Sequence, residues 1–324
     1  MWDRCGAAGA RLARAEPRAR HDRRVIEIDG HTKAYRSRVA VDDLTVTIEP
    51  GRVTGFLGPN GSGKTTTMRC ILGLTRPTAG TVTVLGRPYR ELARPMRRVG
   101  ALIDARAGHP GRTAHAHLLA LAQSNALPRQ RVDDVIEMVG LETVAHERVR
   151  GFSLGMGQRL GIAAALLGDP DVLLLDEPVN GLDPEGIRWV RELLRDLADE
   201  GRTVLVSSHL MSEMEDTADH LVVLGRGRLL ADVPMDELLG AHSAVRVRTP
   251  QGPVLAAALR QAGGRVELEL DGALRVEGLD LVAVGDVAFI ADVRLHELSR
   301  VTVSLEAAYL ALTGDDVEYR AVAP

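Results

Sequence analysis

Gly58-Pro59-Asn60-Gly61-Ser62-Gly63-Lys64-Thr65 decides the fold. It fits G-x-x-x-x-G-K-[ST], a loop whose glycines let successive backbone N–H groups turn inward around phosphate oxygens. The apolar run at 53–57 predicts a buried strand entering the loop, and a helix is predicted to begin near Lys64. That helix offers its positive N-terminal end to the same anion. Lys64 is expected to reach the β- and γ-phosphates and the Thr65 hydroxyl to hold Mg²⁺, with Thr66 beside it in the first turn. A chance match in a chain of 324 residues has odds of roughly one in a hundred.

Downstream, Asp171-Val172-Leu173-Leu174-Leu175-Asp176-Glu177 supplies a second half. A buried strand ending in a carboxylate is expected to place Asp176 beside the phosphate loop, where it holds Mg²⁺ or its water. Glu177, one residue on, is expected to polarise an attacking water. Further apolar runs at 172–175 and 203–206, each flanked by helical pattern, predict a largely parallel, twisted α/β sheet, and 25–28 and 44–48 read as two more strands.

With both motifs in place, residues 25–235 resemble the ABC ATPases. Between the motifs, Phe152-Ser153-Leu154-Gly155-Met156-Gly157-Gln158-Arg159 is similar to the family signature and its downstream Gln-Arg, with Leu154 and Met156 where the common form has Gly and Gln. The hydroxyl of Ser153, the amide at Gly155 and a helix N-terminus remain able to bind a γ-phosphate. Asn180-Gly181-Leu182-Asp183 resembles the D-loop, and Val206-Ser207-Ser208-His209 the switch strand whose histidine contacts the γ-phosphate. Tyr35 matches the aromatic that stacks on adenine. Asp104 stands where the family has a Gln that senses Mg²⁺.

The resemblance implies an α/β fold of the P-loop ABC ATPase type, using ATP and Mg²⁺. Its catalytic residues are Glu177, His209 and Asp176. Its nucleotide contacts are Tyr35, the loop Gly58, Pro59, Asn60, Gly61, Ser62, Gly63, Lys64, Thr65 and Thr66, together with Ser153, Gly155 and Asp183. Its metal ligands are Thr65 and Asp176, with Asp104 as a further one. Two copies are implied head to tail, each sealing ATP on the other with Ser153 and Gly155, and a separately encoded transmembrane permease driven through the segment 104–111.

The rest of the chain divides around this cassette. Residues 1–24, with seven arginines against Asp3, Glu16 and Asp22, read as a basic tail, disordered or produced by a miscalled start. The ATPase domain is expected over 25–239, with a helical insertion at about 90–150. Residues 240–324 predict a small α+β domain, ferredoxin-like, with strands at 245–248, 265–270, 273–276 and 292–295 and helices at 253–262, 281–290 and 305–312. No stretch approaches the roughly 18 uninterrupted apolar residues of a membrane span. A permease is therefore expected to supply the crossing, with this chain cytoplasmic and peripheral on the inner face of the membrane. The net charge of −4 gives no reason to expect nucleic acid. Two cysteines, Cys5 and Cys70, make a disulfide framework a poor reading.

The closing stretch from Ser304 to Gly314 resembles the last helix of drug-export and bacitracin-resistance ABC ATPases. It points to export of drugs, antibiotics or lipid-like compounds. A non-transport ABC ATPase acting in regulation or on nucleic acid is the alternative. It is disfavoured because there is one cassette and no sustained heptad pattern. A small-molecule kinase would not need Ser153 or His209, and a silent regulatory subunit would not need Lys64, Asp176 and Glu177 intact.

Overall fold

The structure is a computed structural model that describes residues 25–104, 108–241, 244–301, 304–306 and 309. The expected basic tail, most of the expected closing helix and residues 105–107 of the expected coupling segment lie outside the described residues. The chain divides into two compact units, Met1–Asp232 and Val233–Pro324, described in turn.

In the first unit the chain runs through β1 (Ile26–Tyr35), β2 (Arg38–Ile48), β3 (Arg52–Leu57), α1 (Lys64–Ile71), β4 (Ala79–Val84) and β5 (Val99–Leu102). The helices α2 (Ala114–Ser124), α3 (Gln130–Met138) and α4 (Leu154–Leu166) follow. Then come β6 (Val172–Asp176), α5 (Pro184–Asp199), β7 (Thr203–Ser208), α6 (Met211–Glu215), β8 (His220–Gly225) and β9 (Arg228–Pro234), the last reaching the unit boundary. Among the described residues one sheet has the order β5-β6-β7-β3-β8-β9 and a second the order β2-β1-β4.

The first sheet is built as its apolar runs demand. β3, β6, β7 and β8 pair in parallel and are buried along nearly their whole length, which requires cover on both faces. Helices supply it on one side; α5, for example, buries Val190, Leu194 and Leu197. On the other side Phe56, Leu174, Leu205 and Val222 share a core with Ile26, Leu44 and Ile48 of the second sheet and Met68 and Ile71 of α1. In register, Asp176 lies opposite Ser207, and Leu57 opposite Ser208. The ends of β6, β7 and β3 therefore emerge side by side.

The strands foreseen at 25–28 and 44–48 form as parts of β1 and β2. They pair antiparallel in the second sheet, because the two-residue link between β1 and β2 is far too short for a parallel crossover. The insertion foreseen at about 90–150 is not helical throughout, since Val99–Leu102 is a strand paired in parallel with β6. The strand foreseen at 292–295 is displaced to Glu297–Val301 for a reason given below. Four strands and helices of this unit, β4, β8, β9 and α6, were not foreseen.

The second unit begins with α7 (Met235–Ala241). It continues through β10 (Ala244–Arg248), α8 (Gly252–Gln261), β11 (Arg265–Leu268), β12 (Leu274–Glu277), α9 (Leu281–Ile290) and β13 (Glu297–Val301). The β-α-β-β-α-β run with antiparallel order β11-β12-β10-β13 is that of a ferredoxin-like split β-α-β. α9 ends with Asp292 in the left-handed region and Val293 N bonded to Ala288 O, a helix stop that consumes residues 291–293. Arg294 is then held by Gln251 and Thr249, so β13 begins only after His296.

No helix among the described residues is long and apolar enough to cross a membrane. α4 packs tightly against β5. A Cβ on Gly100 would sit 2.1 Å from the backbone oxygen of Ala165 and 2.9 Å from Pro170 Cγ. Backbone cannot rotate away as a side chain can. Gly100→Ala should therefore cost about 2 kcal/mol or more through overpacking. A lowered midpoint of urea unfolding is the expected reading, and an unchanged midpoint would show that α4 is free to shift.

Candidate active site

The loop between β3 and α1 is shaped by glycines. Gly58, Gly61 and Gly63 all have positive φ, and a Cβ would meet Leu224 O at 2.3 Å on Gly58 and Ala40 O at 2.9 Å on Gly63. The loop is thus pressed between β2 and the end of β8, with no room for a Cβ at Gly58 or Gly63. Lys64, 6% exposed, turns back into it, its Nζ donating to Gly58 O at 2.5 Å and Pro59 O at 3.2 Å. Burial pulls the Lys64 pKa down, and the charges of Glu177 and Asp176 pull it back up. Ser62 Oγ is buried in the loop and finds no partner among the described residues.

The strand ends beside the loop form one hydrogen-bonded chain. Thr65 Oγ1 donates to Asp176 Oδ2 at 2.6 Å, and Ser207 Oγ donates to Asp176 Oδ1. The backbone N–H of Glu177 donates to Ser207 Oγ at 3.0 Å and Ser207 O at 3.2 Å. The Glu177 carboxylate meets His209 Nδ1 at 2.5 Å. The backbone carbonyl of Glu177 accepts from Gln158 Nε2 at 2.7 Å and Asn180 N at 3.2 Å. Those bonds hold Glu177 at φ 53°, a left-handed conformation that costs a non-glycine residue about 1–2 kcal/mol.

The remaining expected residues divide into two groups. Tyr35 ends β1, 45% exposed, with Lys33 Nζ 4.8 Å from its ring centroid. Its hairpin partner Arg38 reaches within 3.6 Å of where a Cβ on Gly61 would lie, so this edge adjoins the loop. Asp104 is exposed two residues past β5, on the edge where Leu102 pairs with Leu175. Ser153, Gly155 and Asp183 are not joined to the loop by any hydrogen bond among the described residues. Ser153 caps α4 by accepting from Met156 N at 3.2 Å, and Asp183 caps α5 by accepting from Gly186 N at 2.9 Å. Gly155 packs against Gly181, where a Cβ would meet the oxygen at 3.1 Å.

The site also contains residues to which the sequence reading gave no role. Ser207 bridges Asp176 and Glu177, Gln158 holds the Glu177 carbonyl, and Ser208 Oγ donates to Glu213 Oε2 at 3.0 Å. Ser207 and Gln158 lay inside quoted motifs, but which carboxylate or carbonyl they meet is set by sheet register. Glu213, on α6, had no signal.

The donor set suits a magnesium nucleotide. Thr65 and Asp176 offer hard oxygens 2.6 Å apart, and a glycine-lined loop with a buried lysine and an unpartnered hydroxyl lies alongside. A cleft of about 560 Å³ opens elsewhere in the same unit, lined among others by Leu72, Leu74, Ile103, Asp104, His117 and Leu160.

Burial pushes the Glu213 carboxyl above the usual glutamate range; the Ser208 hydroxyl opposes this, and the Glu177 charge adds to it. The folded state thus holds that proton more tightly than the unfolded chain does. The stability this contributes is complete below the ordinary glutamate range and is lost as pH rises through the raised value. Glu213→Gln should flatten that loss, so urea unfolding at about pH 7 should favour the variant relative to wild type more than at about pH 4. Parallel pH profiles for the two proteins would contradict this.

Residues 41–180 match the family described as ABC transporter, and residues 243–306 match a domain of unknown function (DUF8746). An uncharacterized ABC transporter ATP-binding protein, YhcH, of Bacillus subtilis (strain 168) is 37% identical over 300 residues, covering 91% of this chain and 97% of that protein. The bacitracin transport ATP-binding protein BcrA of Bacillus licheniformis is 42% identical over 217 residues, 66% of this chain and 71% of that protein. Among solved structures, one described as the ATP binding subunit of an ABC transporter superposes with TM-score 0.61 at 26% identity, covering 66% of this chain and 91% of that one.

Proposed function

From the premise that this chain belongs to the family of ABC transporter ATP-binding proteins, we propose that it is the ATP-hydrolysing engine of a membrane exporter. Bacitracin transport by a relative supports cargo of the antibiotic, drug or lipid-like class. The observation that carries the proposal is the hydrogen-bonded chain from Thr65 through Asp176 and Ser207 to Glu177 and His209, set against the loop that buries Lys64.

In this reading the loop amides and Lys64 bind the triphosphate and Tyr35 stacks on the adenine. Thr65 and Asp176 would hold Mg²⁺, with Asp104 on the neighbouring edge; the ion when bound neutralises charge on the β- and γ-phosphates. Glu177 orients a water and takes its proton as oxygen attacks the γ-phosphorus, and the bond to the β,γ-bridging oxygen breaks. His209 fixes the Glu177 carboxylate and contacts the γ-phosphate. Ser153 and Gly155 make no hydrogen bond to their own loop among the described residues, and in this reading they seal ATP held by a second copy. Closure then excludes water except the one at Glu177.

In this reading the permease docks on the cleft beside Asp104 and His117, and this chain works peripherally on the inner membrane face. ATP binding shifts the pair toward the closed state, and hydrolysis returns it.

Glu177→Gln should retain ATP, lower kcat by at least about 10²-fold and accumulate as an ATP-dependent dimer in size-exclusion chromatography. Lys64→Ala should lose ATP binding. Steady-state turnover close to wild type in the Glu177 variant would overturn the assigned chemistry.

A further inference from the structure

Gln158 reaches from α4 to the backbone of Glu177. Its side chain is 3% exposed, and Nε2 donates to the Glu177 carbonyl at 2.7 Å. Its Oε1 is buried and finds no partner among the described residues, so the Glu177 carbonyl is what orients the amide. The residue it holds is the left-handed Glu177, whose carboxylate meets His209. A strained backbone persists only while its surroundings over-determine it, and Gln158 is the restraint that comes from α4.

The N-terminal tip of α4 is the Ser153 cap. Ser153 and Gln158 are five positions apart on one helix, about 7.5 Å along its axis. The next residue, Arg159, stiffens the connection: its Nη1 donates to Val139 O at 2.8 Å and its guanidinium lies 4.8 Å from the Trp189 ring centroid. α4 is thereby tied both to the end of α3 and to α5, and a displacement of its tip carries Gln158 with it.

We infer that Gln158 is a positioning residue that couples the tip of α4 to the Glu177 carboxylate, so that each hydrolytic site reads whether the opposite site is sealed. The inference rests on the head-to-tail pairing proposed above. In that pairing the α4 tip of one copy touches the ATP held by the other, while Gln158 of the same helix acts on the Glu177 of its own site. Contact at the tip holds the donor on the Glu177 carbonyl and keeps the carboxylate aimed. A tip without that contact is free to shift, and the shift loosens the bond. Because coupling is reciprocal, the state of Glu177 also biases how tightly the tip binds.

Gln158→Met in the full-length protein tests this, since methionine keeps the volume and removes the donor. Turnover should fall about tenfold or more. Equilibrium binding of a fluorescent ATP analogue should stay within about twofold, because the loop and Lys64 are untouched. The Hill coefficient of the ATPase for ATP should drop to about 1. Thermal stability should hold or rise, as an unpartnered buried oxygen is also deleted. Gln158→His, whose ring offers an N–H donor at similar reach, should recover most of the turnover. Wild-type turnover in the methionine variant would overturn the inference. So would a loss that follows an equal loss of nucleotide binding and melting temperature and is not recovered by histidine. Lys64→Ala and Glu177→Gln run alongside: if they stay active the proposed function itself falls, whereas if they fail as expected and Gln158→Met is normal, this coupling alone is wrong.

Discussion

The parallel pairing of β6, β7 and β3 is the constraint on which the site depends. Each of these strands is apolar and buried on both faces, so each must lie inside the sheet. Once they do, the register that sets Asp176 opposite Ser207 and Leu57 opposite Ser208 brings three unrelated chain segments out on one edge. Open α/β sheets hold ligands at the carboxyl ends of their strands for this reason.

Within that edge, charge is managed by hydrogen bonds more than by ion pairs. Asp176 accepts from two hydroxyls, Thr65 and Ser207, and Lys64 is held by loop carbonyls. Hydroxyls and carbonyls satisfy a buried charge, yet exchange it for a phosphate or a cation at smaller cost than a salt-bridge partner would. Glu177 stands apart: its backbone is strained and its carboxylate meets His209 Nδ1.

The second unit follows another logic. Arg246 sits on β10 with Glu269, Asp271 and Glu297 around it, and Arg248 shares Asp271. The network pins the central strand to β13 and to the turn after β11. Hydrogen bonds from Arg246 and Ser299 lower the Glu297 pKa, and the Ala273 N–H, followed by Arg248, lowers that of Asp271.

The phosphate loop was legible in the sequence because its requirement is local: glycines at 58, 61 and 63 permit one set of backbone angles, and an apolar strand and a helix must flank it. The strands at 172–176 and 203–208 were legible because burial on both faces leaves an unbroken apolar run. The antiparallel pairing of β1 with β2 was hidden behind strand patterns that carry no direction, and the start of β13 behind a helix stop at Asp292. By itself, then, the sequence determined which residues can grip a phosphate and where buried strands end. Only the tertiary structure decided that Ser207 bridges Asp176 to Glu177 and that Gln158 holds the Glu177 carbonyl, since such meetings are set by register and helix packing between segments that no local periodicity records.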